Sequence, residues 1–199
     1  ELIDLIADIK TTIPEYCRVN RIIRDIPSTH VVEGNKRTSL RQDVHAEMKK
    51  RGQACRCIRC REVKTRQVEV QELMLGDFVY HPSSAEEHFI SFTTSDDKLA
   101  GYLRLSLPDE NAPKLEIPDL EDAALIREVH VYGQSLSLGA EKSGAAQHIG
   151  LGTRLLLEAE KTARLKGYKK MAVIAAIGTR LYYEKRGFQR GEFYMTRDI

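Results

Sequence analysis

The motif Q-x-x-G-x-G at residues 147–152, followed directly by a run with helical periodicity, constrains this chain more than any other feature. Gly150 and Gly152 lack Cβ atoms, so backbone N–H groups around them can approach an anion closely. The helix behind them adds unpaired N–H groups and the positive end of its dipole. The spacing is not that of the G-x-G-x-x-G or Walker motifs. The motif therefore predicts a pyrophosphate-binding loop, and the alternative is an ordinary glycine turn before an amphipathic helix.

The segments on either side favour the first interpretation. Alternation over residues 125–132 predicts a strand before the loop, and an apolar run over residues 169–176 predicts a buried strand after the helix. A short helix with Tyr182 and Tyr183, a Gly-Phe pair and a closing strand follow. This order, with the Q-x-x-G-x-G and Y-x-x-x-G-F spacings, resembles the GNAT acetyltransferases. The resemblance implies an α/β fold with a mixed central sheet flanked by helices, and acetyl-CoA as the cofactor.

The same resemblance assigns roles to individual residues. It implies that the Tyr183 hydroxyl lies near the thioester, as an acid toward the leaving thiolate or as a hydrogen-bond donor. Glu128 is the second catalytic candidate, ahead of His130 on the same strand. Core packing for Tyr183 and a surface charge for Glu128 are the alternatives. The implied cofactor-binding residues are Glu128, Val129, His130, Val131, Gln147, Gly150, Leu151, Gly152, Thr153, Tyr182 and Tyr183.

All four cysteines lie in the first 60 residues, three of them as Cys55-x-Cys57-x-x-Cys60. In a cytosolic protein such clustering indicates a metal site more often than a disulfide framework. Thiolates at this spacing can converge on one tetrahedral Zn²⁺ with Zn–S distances of about 2.3 Å. We expect Cys17 as the fourth ligand, with His30 and His45 as alternatives. The spacing does not match iron–sulfur motifs, and free thiols are the remaining possibility.

Lysine and arginine outnumber acidic residues over positions 18–66, although the formal net charge of the chain is only +2. Such a basic block suits a polyanion such as RNA and would make binding depend on salt. The alternative is a solvated surface whose side-chain stems cover apolar groups. The residues predicted to contact RNA phosphates are Arg18, Arg21, Arg24, Lys36, Arg37, Arg41, Arg56, Arg59 and Arg61.

Length and composition exclude several classes of protein. The 199 residues, 42% hydrophobic and 30% charged, are typical of a soluble globular protein with one sizeable core or two modest domains. No apolar run approaches the ~20 residues of a membrane span, and the N-terminus lacks the pattern of a signal peptide. We therefore expect a cytoplasmic protein without membrane contacts. The chain begins with Glu1 rather than Met, so we expect part of a longer protein.

Local patterns divide the chain near residue 62. The predicted elements are a helix over residues 1–13, strands over 16–26, 63–75, 88–93 and 100–107, and a helix over Leu40–Lys50. We expect residues 63–199 to form the GNAT-like acetyltransferase domain. A Gly- and Ser-rich segment, residues 135–146, is a candidate gate over the thioester.

Further motifs resemble the catalytic subunit of Elongator and its single-subunit prokaryotic relatives. These motifs are R-V-x-R-I-x-R-D-I-P at residues 18–27, C-R-x-x-R-x-R-E-V at 55–63, R-E-V-H-V-Y-G at 127–133 and G-T-R-x-Y-Y at 178–183. Members of that family join a radical S-adenosylmethionine domain, which holds a [4Fe–4S] cluster, to a GNAT domain. The resemblance implies that residues 1–62 are the end of the radical domain and a zinc-binding linker.

The family installs a 5-carboxymethyl group on the wobble uridine of tRNA, with acetyl-CoA and a radical derived from S-adenosylmethionine. The resemblance therefore implies an acyltransferase, a tRNA acetyltransferase that contacts the anticodon region. The cluster-binding motif of the family is absent here, so we expect the chain alone not to complete the modification. A protein lysine acetyltransferase would share the fold and cofactor, but the basic segment disfavours a cationic substrate. A non-catalytic zinc and RNA-binding module is the third hypothesis, and intact GNAT motifs argue against it.

Overall fold

The structure, a computed structural model, describes residues 1–22, 27–66, 68–133 and 150–199. These residues form two compact units, Glu1–Glu62 and Val63–Ile199. Arg24, Gln147 and the candidate gate at residues 135–146 lie outside the described residues. Within the described ranges, no helix combines the length and the apolar character that crossing a membrane requires.

The first unit is built on three helices, α1 (Leu2–Thr12), α2 (Leu40–Lys50) and α3 (Ile58–Arg61), with a one-turn 3₁₀ helix at Ser28–His30. Both longer helices agree with the predicted segments. Where α1 and α2 pack, the buried core consists of Ala7, Leu40, Val44 and Met48. Arg51, which follows α2, forms ion pairs with Asp4 and Asp8 of α1 and so joins the two helices a second time.

The strand predicted over residues 16–26 is not formed in its described part, residues 16–22. Backbone groups there are paired one at a time instead of in a ladder. The Arg41 guanidinium donates to the carbonyl oxygens of Val19 and Asn20 at 3.0 Å each. The Ile58 N–H donates to the Cys17 carbonyl oxygen at 2.9 Å. These isolated hydrogen bonds take the place of the ladder that the alternating sequence predicted.

The second unit contains a seven-stranded sheet in the order β1-β2-β3-β4-β5-β7-β6. The pairing of β4 with β5 is parallel, and the other pairings are antiparallel. The strands are β1 (Met74–Tyr80), β2 (Ala85–Thr93), β3 (Leu99–Pro108), β4 (Ala123–Val131), β5 (Lys170–Val173), β6 (Gln189–Arg190) and β7 (Met195–Asp198). The helices are α4 (Leu151–Leu165) and α5 (Arg180–Glu184), with one-turn 3₁₀ helices at Val70–Glu72, Pro118–Leu120 and Ile177–Thr179.

Helix α4 forms because its apolar residues recur with helical spacing and bury one face. Leu151, Leu155 and Ala159 on that face are at most 1% exposed. They belong to one core cluster with Leu103 of β3 and Ile126 of β4. This packing fixes the N-terminal end of α4 against the sheet, where the predicted anion-binding loop enters the helix.

The predicted strand over residues 63–75 is largely wrong. Of the described residues in this range, only Met74 and Leu75 belong to a strand, β1, which continues to Tyr80. Lys64 has φ +54°, a left-handed conformation that interrupts an extended chain. The apolar residues Val63 and Val68 are buried in the core without forming a strand. The other strand predictions correspond to β2, β3, β4 and β5, although β5 ends at Val173.

Candidate active site

A β-bulge in β4 decides which side chains face the candidate site. Arg104 of β3 pairs with Glu128, whereas the next residue of β3 pairs with Ile126, so Arg127 is an extra residue in β4. An extra residue reverses the alternation of side chains beyond it. Ile126 lies in the core beneath α4, and Val129, beyond the bulge, packs against that same core. Glu128 consequently points to the opposite face of the sheet.

Strands β4 and β5 pair only between residues 123–126 and residues 170–173 in the described part of the chain. A cavity of about 410 Å³ opens beyond the paired halves. It is lined by Val129, Val131, Gly150, Gly152, Thr153, Thr179, Tyr182, Tyr183 and Arg186. The sequence patterns predict all of these except Thr179 and Arg186. Leu151, Glu128 and His130, which are also predicted, do not line the cavity.

Gly150 and Gly152, the described glycines of the predicted anion-binding loop, both line the cavity. Gly150 has φ +118°, a conformation that an L side chain rarely adopts. A Cβ atom on Gly152 would lie 2.5 Å from the Tyr182 hydroxyl oxygen and 3.8 Å from Val131 Cγ2. The N–H groups of the first turn of α4 have no partner within the helix. The residues present therefore fit the pyrophosphate of acetyl-CoA.

Arg186 is a site residue that sequence reasoning missed. Its Nε and Nη2 atoms donate to the Thr153 hydroxyl at 3.0 and 2.6 Å, and its Nη1 donates to the Tyr182 carbonyl oxygen at 2.7 Å. The guanidinium carbon lies 3.6 Å from the centre of the Tyr182 ring. Arg186 thus places a fixed positive charge beside the first turn of α4. The Y-x-x-x-G-F spacing leaves this position open, so the motif gave no signal.

Arg154, by contrast, is held away from the cavity. Its guanidinium lies 4.5 Å from the centre of the Phe92 ring, on the core face of the sheet. Its position at the start of the helix predicts added charge beside the cofactor phosphates, but Arg154 does not line the cavity, whereas Arg186 does.

Tyr183 lies at the inner wall of the cavity and is 7% exposed. Its ring meets those of Phe188 and Tyr182 edge to face, with centroids 5.6 and 5.1 Å away. Burial raises the pKa of its hydroxyl to about 12, so the phenol keeps its proton at neutral pH. A protonated hydroxyl at this wall can donate a hydrogen bond or a proton to a departing thiolate.

Glu128 lies in an ionic cluster on the opposite face of the sheet. It forms an ion pair with Arg104, and its Oε2 atom is 3.3 Å from His130 Nε2. The hydrogen bond from His130 and the one from Arg104 outweigh burial and lower the pKa of its carboxyl to about 2. A carboxylate with this pKa is a poor acceptor for a catalytic proton at neutral pH.

The first unit brings three of the four cysteines together. The sulfur atoms of Cys55, Cys57 and Cys60 all lie within 4.8 Å of one another. The thiols of Cys55 and Cys60 hydrogen-bond that of Cys57 and lower its pKa. Such a group of thiolates fits three corners of a tetrahedral metal site.

Neither Cys17, expected as the fourth ligand, nor the alternative His45 belongs to this group of ligand atoms. His45 has its Nε2 atom 3.8 Å from Cys60 Sγ, which makes it the better candidate. Lys10, only 1% exposed, has its Nζ atom at the same distance from Cys60 Sγ. A buried ammonium requires a nearby polar partner, and the Cys60 sulfur is one.

Most of the predicted phosphate contacts already have partners inside the first unit. Ion pairs join Arg18 to Glu62, Arg37 to Asp43 and Arg56 to Glu15, at 2.9, 2.9 and 2.6 Å. Arg61 is 4% exposed and lies 3.7 Å from Glu15, so it cannot reach a phosphate, and that prediction is corrected. Arg41 is half-buried against the backbone. Lys36, Arg59 and Arg21 are exposed.

The order of elements, the bulged β4, the glycine loop and the cavity together define an acetyltransferase fold. A profile of the acetyltransferase (GNAT) family matches residues 56–188. Since the match covers more than half of the chain, the chain belongs to the GNAT family of acetyltransferases. Membership of this family implies acetyl-CoA as the cofactor.

Individual relatives resemble the whole chain. The tRNA uridine(34) acetyltransferase of Dehalococcoides mccartyi is 42% identical over 98% of this chain and 43% of that protein. Elongator complex protein 3 of Drosophila melanogaster is 38% identical over 100% of this chain and 37% of that protein. The structure of Methanocaldococcus infernus Elp3 with an N-terminal deletion (1–46) has a TM-score of 0.85 and 35% identity, covering 99% of this chain and 48% of that one.

These comparisons confirm the resemblance to the catalytic subunit of Elongator and its prokaryotic relatives. The chain spans less than half the length of the Dehalococcoides and Drosophila proteins.

Proposed function

We propose that this chain supplies the acetyl-CoA-binding part of a tRNA acetyltransferase that acts on the wobble uridine. The observation that carries the proposal is the cavity at the start of α4, with its glycine loop and its buried hydroxyl. The names of the relatives, tRNA uridine(34) acetyltransferase and Elongator complex protein 3, support tRNA as the substrate.

Different residues of the cavity would bind different parts of acetyl-CoA. Gly150, Gly152 and the N–H groups of the first turn of α4 would hold the pyrophosphate, with Arg186 beside them. The exposed backbone of β4 beyond Ile126, which has no β5 partner among the described residues, can pair with the amides of the pantetheine arm. Acetyl-CoA supplies an activated two-carbon unit as a thioester. Tyr183 would hold a proton at the sulfur end.

We propose a structural zinc ion at Cys55, Cys57 and Cys60, with His45 as the fourth ligand. This site would order a segment that has little core of its own. The RNA surface would then rest on the exposed cations Arg21, Lys36 and Arg59. Arg18, Arg37 and Arg56 could join only by exchanging an acidic partner for a phosphate.

The remaining chemistry would belong to segments of the relatives that this chain does not span. We propose that a radical S-adenosylmethionine domain with a [4Fe–4S] cluster activates the acetyl group in the whole protein. The whole protein would then act as the tRNA carboxymethyluridine synthase and contact the anticodon region, and this chain alone would not complete the modification.

The experiment is acetyl-CoA hydrolysis by the purified full chain, with and without unmodified tRNA. We expect tRNA to stimulate hydrolysis and Gly152→Glu to abolish it, because the new side chain would fill the cavity. Gly76→Glu is the matched control, since Gly76 lies exposed on β1 and a Cβ there meets only Ser91 Oγ at 3.6 Å.

A second pair of variants tests the RNA surface. Lys36→Ala with Arg59→Ala should reduce the stimulation by tRNA but leave CoA affinity unchanged. Lys161→Ala with Lys185→Ala removes two exposed lysines of the second unit and should change neither. A hydrolysis rate that does not change when tRNA is added, together with steady acetylation of a lysine peptide, would instead identify a protein acetyltransferase.

A further inference from the structure

Lys10 of α1 is a buried cation beside the group of cysteines in the first unit. Its side chain is among the largest that are fully buried, and the residue is 1% exposed. The structure places its Nζ atom 3.8 Å from Cys60 Sγ. Burying an ammonium is costly unless a polar or charged group compensates it. The position of Lys10 is therefore best explained by what Cys60 binds.

Cys60 Sγ is in contact with both Lys10 and the candidate fourth zinc ligand. The Nε2 atom of His45 also lies 3.8 Å from this sulfur. Zn–S distances of about 2.3 Å place two ligand atoms of a tetrahedral site about 3.5–3.8 Å apart, so His45 and Cys60 are close to the separation of two ligands. A lysine ammonium has three N–H donors and no acceptor. Lys10 therefore cannot bind the metal as an ammonium, but it can donate to a sulfur that does.

The charge of the proposed zinc centre also suits Lys10. Cysteines bind zinc as thiolates and histidine binds it as neutral imidazole, so a centre of three cysteines and one histidine carries one net negative charge. One ammonium neutralises that charge, whereas a centre that includes Cys17 would keep a negative charge. Arg61, also buried in this unit, lies 3.7 Å from Glu15, so its charge already has a partner.

We propose that Lys10 is a positioning residue of the zinc site, which donates a hydrogen bond to the Cys60 thiolate and neutralises the centre. The inference rests on the zinc site of the proposed function. The hydrogen bond holds the sulfur in its orientation toward the metal, as partners of metal ligands generally do. Because the bond is charge-assisted, it also occupies a sulfur lone pair that an electrophile would otherwise attack.

The arrangement gives the zinc site a contact with each helix described in the first unit. Lys10 lies on α1, His45 on α2 and Cys60 on α3. Cys55 in addition packs against the core between α1 and α2. Zinc would thus fasten α1 through Lys10 even though α1 supplies none of its ligands.

Zinc affinity tests the inference without relying on catalysis. The full chain is loaded with zinc and titrated with a chromogenic chelator. Lys10→Met, which keeps an unbranched chain but removes the charge, should lower zinc affinity by about 10- to 100-fold, the usual effect of losing the partner of a metal ligand. Lys10→Gln can still donate a neutral hydrogen bond and should lose less. Lys49→Met, at an exposed lysine of α2, is the matched control and should bind zinc as wild type does.

Alkylation distinguishes a positioning role from simple packing. Iodoacetamide reacts with the thiolate sulfur, which displaces iodide and forms a C–S bond. In zinc-loaded Lys10→Met, the ratio of the alkylation rate of Cys60 to that of Cys55 should rise about tenfold, as followed by tandem mass spectrometry. A general loosening of the unit would instead accelerate Cys55, Cys57 and Cys60 together.

The outcomes separate this inference from the zinc site itself. Lys10→Met with wild-type zinc affinity and a wild-type alkylation ratio would overturn the inference and leave the zinc site standing. Equal acceleration of all three cysteines would also overturn it, since Lys10 would then act only by packing. If Lys10→Met does not fold, Lys10→Gln is measured in the same two ways, and wild-type values would refute the role of the charge. A wild-type chain that binds no zinc would overturn the zinc site and this inference together, while hydrolysis with tRNA would still test the acetyltransferase.

Discussion

Gly152 has no room for even one methyl group beside the cavity. A Cβ atom there would lie 2.5 Å from the Tyr182 hydroxyl oxygen. That hydroxyl is at the end of a rigid ring, which is stacked under Arg186 at 3.6 Å and cannot yield without disturbing it. We expect Gly152→Ala to weaken CoA binding by about tenfold, or ~1.4 kcal/mol, by isothermal titration calorimetry. Gly76→Ala should bind normally, and an equal loss in both variants would contradict the argument.

Arg186 should contribute to binding through the pyrophosphate alone. A guanidinium has five N–H donors, and three nitrogen contacts to Thr153 and Tyr182 leave two donors for a ligand. A hydrogen bond to a charged group contributes about 1.5–3 kcal/mol. We expect Arg186→Gln to weaken CoA binding by about 10- to 100-fold without changing the affinity for pantetheine, which lacks the pyrophosphate. Lys185→Gln is the neighbouring control, and an equal loss for both ligands would place Arg186 elsewhere.

Among the elements, helices were the most predictable because their periodicity is local. The predicted helix Leu40–Lys50 has the bounds of α2. The bulge at Arg127 could not be predicted, because an extra residue leaves no mark in the sequence pattern of β4. It changes only the pairing with β3, and it reverses the faces on which the following side chains lie. Glu128 therefore does not line the cavity as predicted, whereas Val129 and Val131 do. Arg186 was missed because its place in the site depends on hydrogen bonds with Thr153, 33 residues away along the chain, which no short motif records.

A buried histidine between two carboxylates joins β1 to β2, and one of these carboxylates, Glu86, also pairs with Lys166 at the end of α4. His88 Nδ1 lies 2.7 Å from Asp77, and its Nε2 lies 2.9 Å from Glu86. The hydrogen bond with Asp77 leads the contacts that raise the pKa of His88 above its ordinary 6.5. Lys166 and then His88 lower the pKa of Glu86 from 4.5 to about 2.

Because of these pKa shifts, the β1–β2 hairpin loses stability both at high pH and at low pH. The contribution of His88 is complete below pH 6.5 and is lost as the pH rises through its raised pKa. The contribution of Glu86 is complete above pH 4.5 and is lost as the pH falls toward 2. We expect thermal unfolding of wild type to show a loss above pH 6.5 that His88→Gln lacks. His30→Gln, exposed in the first unit, should keep the loss, and equal slopes in all three proteins would refute the assignment.

For the whole molecule, the two units depend on different sources of stability. Among the residues that the structure describes, the core cluster of Val63–Ile199 contains twenty buried residues, whereas that of Glu1–Glu62 contains Ala7, Leu40, Val44 and Met48. A unit with so small a core needs a further constraint such as a metal. Its exposed ion pairs contribute little, since surface pairs are typically worth ~0–1 kcal/mol.

Metal removal should therefore unfold the first unit selectively. In calorimetry of the chain with zinc, a chelator should move the unfolding transition of the first unit to lower temperature. The unfolding temperature of the second unit should not change. Cys57→Ser should reproduce the effect without chelator, and His45→Asn should do so if His45 is the fourth ligand.

Cys17→Ser is the matched control, because its sulfur lies outside the thiol group, and it should retain one zinc per chain. Zinc lost from Cys17→Ser but kept by His45→Asn would restore Cys17 as the ligand. A chelator that shifts both transitions equally would show that the metal stabilises the chain as one cooperative unit.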